Sequence, residues 1–283
     1  VAIEPTWLDD VEQLLTDQGL ANATQLSLLE AWRQGVNARI PEDDNLWCSC
    51  RNARECWGSD EALRPDHMRV RLPWIGPHFA ARRVAVVAIN SRDDGRPDAE
   101  IRATLDVIAS LKRNHRGYGP SRRSYFHYRV AAAVYAAMQS QDGRPIDDHP
   151  AAVETARSLE YAARLQAVQC SPCTSPRRTP TSAMVRNCPG FLLREQLELL
   201  APNVLMLFGQ PAHRAIEESA MEMAWATTWK ESGNCFSHGQ TLLAGRPLTV
   251  CAFVHPSTAA WSRSWTKFRE SLTENPLRSA ANG

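Results

Sequence analysis

The residue best placed for chemistry in this chain is a histidine at the end of an apolar run. "LTVCAFVHPS" (residues 248–257) reads as a buried strand that runs out into a polar turn. His255 stands at the exit, Pro256 fixes the turn, and Ser257 can donate to an anion. A histidine there can stabilise negative charge on a leaving group, or it can simply cap the strand end. A second apolar run, residues 83–90, leads into "AINSRDDG". Asn90 can orient a water through its amide, and Asp93 or Asp94 can act as a base. The same residue types are also the ordinary material of a turn.

Six of the eight cysteines fall in two groups. "CSCRNAREC" holds Cys48, Cys50 and Cys56, and "QCSPCTSPRRTPTSAMVRNC" holds Cys170, Cys173 and Cys188. Two such groups, distant in sequence, can supply four thiolates to one [4Fe–4S] cluster or one structural zinc. Their spacing does not choose between the two. Cys235 and Cys251 stand apart and read as small buried hydrophobes, Cys251 lying within a strand.

Composition frames this chemistry. The chain has 283 residues, 43% of them hydrophobic and 22% charged, ordinary for a globular fold with a sizeable core. No apolar run approaches the length of a membrane span. The opening residues include Glu4, Asp9 and Asp10, so no basic leader is expected there. An intracellular, cytoplasmic, reducing location and a monomer are the expectations, and clustered cysteines in that setting favour metal ligation over disulfides. The net charge is only +1, but two windows carry bases and no acid. Residues 107–141 contain Lys112, Arg113, Arg116, Arg122, Arg123 and Arg129, and residues 161–194 contain Arg164, Arg177, Arg178, Arg186 and Arg194. Such windows suit surfaces that meet an anion, nucleic acid first among them; a solvated face is the bland alternative.

The elements that must position these groups follow from periodicity. Two amphipathic helices open the chain, with Thr6 and Thr24 as expected N-caps. Residues 83–90, 203–209 and 248–257 read as buried strands. Residues 98–113, 128–141, 181–200, a stretch after residue 209 and a C-terminal segment read as helices. "AARLQAVQ" before Cys170 reads equally as a strand or a helix end. Strands alternating with helices predict an α/β fold, a parallel sheet covered on both faces. Functional groups in such sheets gather beyond the strand C-termini, which selects residues 90–94, 166–173, 209 and 255–257.

Taken together these segments resemble the uracil-DNA glycosylase superfamily, most closely its iron–sulphur branches. The resemblance rests on "LQAVQC…RRTPTSAMVRNCPGFLLREQLELLAPNVLMLFGQPA", on the later "HPS", and on "AINSR" as a divergent first motif. It covers about residues 45–272. It implies a three-layer α/β/α domain with a central, mainly parallel four-stranded sheet over residues 46–283, preceded by a helical extension at 1–45. It implies a monofunctional DNA glycosylase with a [4Fe–4S] cluster, zinc being the alternative, and DNA as partner. Position by position, Asn90 corresponds to the residue that holds the hydrolytic water and His255 to the one that stabilises the departing base. Phe126 or Tyr125 corresponds to the aromatic that stacks on the flipped base, and Gln166 to the reader of its edge. Cys50, Cys56, Cys170 and Cys188 correspond to cluster ligands, with Cys173 and Cys48 as alternates. Ser257, Arg177, Arg178 and the residues up to Trp261 correspond to the DNA-contacting set.

Two departures bear on the substrate. The first motif has Ala88, Ser91 and Arg92 where the family has glycines and proline. Gln166 stands where the family usually has Asn, and its extra methylene cannot present the amide at the same point. The expected substrate is therefore a modified pyrimidine, with a hypermodified cytosine of phage DNA, and hence a defence role, as the leading form. Ordinary uracil repair and a DNA-binding protein without catalysis are the alternatives.

Overall fold

The computed structural model describes residues 6–37, 55–56, 72–89, 98–113, 122–168, 180–219, 228–231 and 235–277. The helices, in chain order, are α1 (Thr6–Asp17), α2 (Ala23–Asn37), α3 (Phe79–Arg82), α4 (Ala99–Arg113), α5 (Arg122–Gln141), α6 (Ala152–Ser158), α7 (Ser182–Cys188), α8 (Arg194–Leu200), α9 (Gln210–Ser219) and α10 (Trp261–Glu274). The strands are β1 (Trp74–Ile75), β2 (Val84–Ala88), β3 (Ala162–Gln166), β4 (Val204–Phe208), β5 (Thr228–Glu231), β6 (Phe236–Leu243) and β7 (Arg246–Phe253).

The strands form one sheet in the order β1-β3-β2-β4-β7-β6-β5. Its centre, β3-β2-β4-β7, is parallel throughout. This is the expected parallel four-stranded core, extended by antiparallel strands at both edges. Alternate residues of each central strand point to opposite faces, as the pleat requires. Val84, Val86, Val204, Met206 and Phe208 join a core with Val130, Val134, Phe268 and Leu272 of α5 and α10. Ala85, Val87, Leu205 and Leu207 join a second core with Ile101, Leu105, Leu197 and Ile216 from α4, α8 and α9. Val11, Leu15, Leu29 and Trp32 of α1 and α2 belong to that second core, so the N-terminal helices pack on the same hydrophobic body. The result is a three-layer α/β/α arrangement.

Several local expectations change in the structure. The α2 cap is Asn22, whose Oδ1 accepts the Thr24 N–H at 2.9 Å. "AARLQ" resolves as β3 because its parallel ladder with β2 is complete, and Ala167 and Val168 extend it with N–H bonds to the Ala88 and Ile89 carbonyls. Residues 181–200 are not one α-helix. α7 passes into a π-helical turn, Pro189–Leu193, before α8, because Pro189 lacks the N–H that would bond one turn back. The helices α3 and α8 each end in a left-handed residue, Arg83 (φ 52°) and Ala201 (φ 45°), that turns the chain toward β2 and β4.

Candidate active site

All four parallel strands run the same way, so their C-terminal ends share one edge of the sheet. At that edge lie Ala88, Gln166, Phe208 and, two residues beyond β7, His255. A cavity opens there, lined among others by Ala88, Gln166, Phe208, Glu100 of α4, Phe126 of α5 and Arg164. This is the crevice in which open α/β sheets place ligands.

Phe126 and His255 stand against each other here. Their ring centroids are 5.1 Å apart and the rings are tilted by 35°. The α5 helix supplies Phe126, which is half-buried, while Val130 one turn on is buried in the core. Gln166 is 4% exposed, and its register partner in β2 is Ala88, two residues before Asn90. Asn90 and Asp93–Asp94 lie outside the described residues, as does the side chain of Tyr125.

The turn around His255 holds its ring. The Ser257 backbone N–H donates to Nδ1 at 3.3 Å, and the Ser257 Oγ lies 2.7 Å from the same nitrogen. In the tautomer in which Nδ1 accepts the Ser257 N–H, Nε2 carries the proton and is available to donate. Gly209, at the end of β4, adopts φ +96°, a conformation that suits glycine, and a Cβ there would make an ordinary contact 3.5 Å from His255 Cδ2. From the other side, the Arg129 guanidinium donates to the Pro256 carbonyl and lies 5.8 Å over the Trp261 ring.

Trp261 corrects an expectation. It is 5% exposed, stacked within an aromatic cluster with Phe208 and Phe253, and so is a prop for the His255 turn and not a surface that meets DNA. The exposed residues of that turn are His255, Ser257, Thr258 and Ala259. Arg177 and Arg178 lie outside the described residues.

Beneath the cavity is a buried polar network that sequence reading missed. Glu100 and Arg164 are 2% and 7% exposed and form an ion pair at 2.9 Å. Arg164 also donates to Thr104 Oγ1 at 2.7 Å, and Gln166 Nε2 donates to the other Glu100 oxygen at 2.7 Å. Arg164 and Gln166 are two apart in β3 and so share a face. That pairing was the available signal: a charged residue inside an otherwise apolar central strand requires a buried partner.

Of the cysteine groups, the described residues contain Cys56 and Cys188, both buried. Cys48, Cys50, Cys170 and Cys173 lie outside them. The segment at 55–56 is docked onto α7. Thr181 Oγ1 donates to the Cys56 carbonyl at 3.0 Å, Asn187 Nδ2 lies 3.7 Å from Cys56 Sγ, and Asn187 also donates to Glu55. Arg186 pairs with Glu55, and these hydrogen bonds, that of Arg186 first, hold the Glu55 carboxyl below its ordinary value. Cys56 is thus brought beside the residue that precedes Cys188. Among the described residues no group of three or more His, Cys, Asp or Glu is assembled as a metal site. Cys251 sits in β7 as expected of a structural thiol, its pKa pushed up to about 12 by burial. No helix among the described residues is long and apolar enough to cross a membrane.

Comparison with known proteins agrees with this geometry. A stretch of 91 residues is 35% identical to the type-5 uracil-DNA glycosylase of Pyrobaculum aerophilum, covering 32% of this chain and 34% of that protein. The matched stretch is therefore about a third of the length of that relative. Residues 123–278, which run from the start of α5 through Gln166, β4 and the His255 turn, match the profile of the Uracil DNA glycosylase superfamily, and the chain belongs to that superfamily.

Proposed function

We propose that the protein is a monofunctional DNA glycosylase that takes a modified pyrimidine out of the duplex, hydrolyses its N-glycosidic bond and leaves an abasic site. The observation that carries this reading is a cavity at the strand ends lined by Phe126 and Gln166, with the His255 ring set against Phe126. A flipped base needs an aromatic face to stack on, an amide to read its edge, and a donor toward the oxygen that gains charge as it leaves. Phe126, Gln166 and His255 have these chemistries. As the C1′–N1 bond breaks, its electron pair moves onto the base, where a His255 Nε2–H stabilises the anion. Water adds its oxygen to C1′, and its released proton goes to solvent or the departing base. Asn90, two residues past the end of β2, is assigned to orient that water. No nucleophilic side chain is required, which accords with hydrolysis in a single displacement.

Cys56 and Cys188, with two thiols from the groups at Cys48–Cys50 and Cys170–Cys173, are assigned to a [4Fe–4S] cluster. The support is chemical: Cys56 and Cys188 are both buried thiols, and the segment that carries Cys56 docks on Thr181 and Asn187 of the segment that carries Cys188. Such a group, far from the scissile bond, supplies a structural tie. Ser257, Arg177 and Arg178 are assigned to phosphate contact, which fixes the register of the duplex without reading sequence. Gln166 in place of Asn favours a base other than plain uracil, with hypermodified cytosine of phage DNA as the leading candidate and defence as its setting. A panel of duplexes, each with one modified pyrimidine, scored for alkali-labile sites, tests the reading. Cleavage at a modified cytosine is expected. Cleavage confined to uracil overturns the substrate assignment, and cleavage at no base overturns the enzyme assignment.

A further inference from the structure

The chemistry of an amide is two-faced. A glutamine side chain can offer a pyrimidine edge its oxygen and an N–H in either order, and the order decides which base it accepts. With the N–H opposite C4 and the oxygen opposite N3 it matches a 4-oxo base with N3–H. Turned over, it matches a 4-amino base with an unprotonated N3. A glutamine with no neighbour to fix it reads both.

Gln166 has such a neighbour. Its Nε2 lies 2.7 Å from Glu100 Oε2, and an ion-paired carboxylate only accepts. The NH2 end must therefore face Glu100 and the oxygen must face away. Glu100 cannot turn aside, because Arg164 holds its other oxygen at 2.9 Å and is itself held by Thr104. All three groups are buried, where a broken pair leaves a charge uncompensated. We infer that Glu100 is a specificity-determining positioning residue: through the buried Arg164–Glu100 pair it locks the Gln166 amide in one orientation, so that the site accepts only one of the two pyrimidine edge types, 4-oxo or 4-amino. The inference rests on the reading above only in that Gln166 meets the flipped base. It requires no catalysis.

The lock has a distinctive consequence. In Glu100→Gln the new side-chain oxygen stays with the donor-only Arg164, and its NH2 is turned to Gln166. Gln166 must then present its oxygen to residue 100, so its amide turns over and the preferred edge type is exchanged.

The test is binding to duplexes that carry one 2′-fluorinated nucleotide, which resists glycosidic cleavage. Two bases form a matched pair, 5-hydroxymethyluracil and 5-hydroxymethylcytosine, which differ only in the edge. Wild type is expected to prefer one of them by roughly tenfold or more, the range of one well-made base contact. Glu100→Gln is expected to abolish or reverse that preference. Should this variant fail to fold, the charge-free double variant Glu100→Leu with Arg164→Met removes the lock without stranding a cation, and its preference is expected to fall to near one. Wild-type affinities equal within twofold, a folded variant that keeps the wild-type preference, or a folded variant that binds neither duplex each overturns the inference. Abasic-site formation on the unfluorinated duplexes is scored in parallel. Its absence would count against the glycosylase reading alone, because the edge preference is read from binding.

Discussion

The Phe126 ring lies 5.1 Å from the His255 ring across the mouth of the cavity, although 129 residues separate them in sequence and one comes from a helix and the other from a strand end. The contact joins the α5 layer to the β7 edge. On the proposed reading, a base stacked on Phe126 lies beside His255. Phe126→Ala is expected to lower single-turnover kcat/KM by about 10- to 100-fold, the range for loss of one base–aromatic stack, while Phe126→Tyr stays within a few-fold of wild type. A Phe126→Ala enzyme as active as wild type would remove Phe126 from the site.

Gly209 holds its place by backbone conformation. With φ +96° and His255 Cδ2 3.5 Å from any added Cβ, Gly209→Ala carries backbone strain whatever its contacts. About 1 kcal/mol or more of lost stability is expected in urea unfolding. Activity is expected to fall further than stability, because the His255 ring is the nearest side chain.

Arg129 steadies the same turn without reaching the cavity. It donates to the Pro256 carbonyl and covers Trp261. Arg129→Met keeps the stem and removes the donor. A several-fold fall in kcat with little change in KM is expected, since the residue acts on the position of His255 and not on binding. A change in KM alone would place Arg129 on the DNA instead.

The thiols divide into two classes by environment. Cys251, with a pKa near 12, is protonated at any pH used for labelling. In the native protein at pH 8 it is expected to escape iodoacetamide and to react only after unfolding, as peptide mapping would reveal. The sign follows from the raised value: folding favours the protonated thiol, so this contribution is intact below the ordinary thiol pKa near 9 and is lost as pH rises toward 12. Cys56→Ser and Cys188→Ser are expected to lose iron and the broad absorbance near 400 nm together. A colourless wild type holding one zinc would replace the cluster with the alternative metal.

How much of this was legible in the sequence depends on what each residue's neighbours are. The parallel strands β2, β4 and β7 were readable because Val84–Ala88, Val204–Phe208 and the end of Arg246–Phe253 are apolar on both faces, which only a covered sheet demands. His255 was readable for the same reason, as the first polar residue after such a run. The partner strand β6 was missed. "FSHGQTLL" alternates weakly, and its pairing is set by the Ala244–Gly245 turn, whose positive φ values of 49° and 79° suit a two-residue hairpin. Trp261 was misplaced because its position after the His255 turn suggested the surface, whereas helix α10 rotates it into the aromatic core. Glu100 was invisible as a site residue. Its helix reads as amphipathic and polar at that point, and only the fold brings it under Gln166, 66 residues on.

The most direct test of the central claim is the single-turnover rate of His255→Ala on whichever base the wild-type protein excises, with DNA affinity measured alongside. The His255 ring is held through Nδ1 by Ser257 and lies against Phe126, which lines the cavity. Its removal is predicted to slow cleavage by about 10²- to 10³-fold, the cost of one oxyanion donor, with affinity for the duplex changed by no more than a few-fold. A rate within threefold of wild type would contradict the assignment of His255 and, with it, the chemistry proposed for the site.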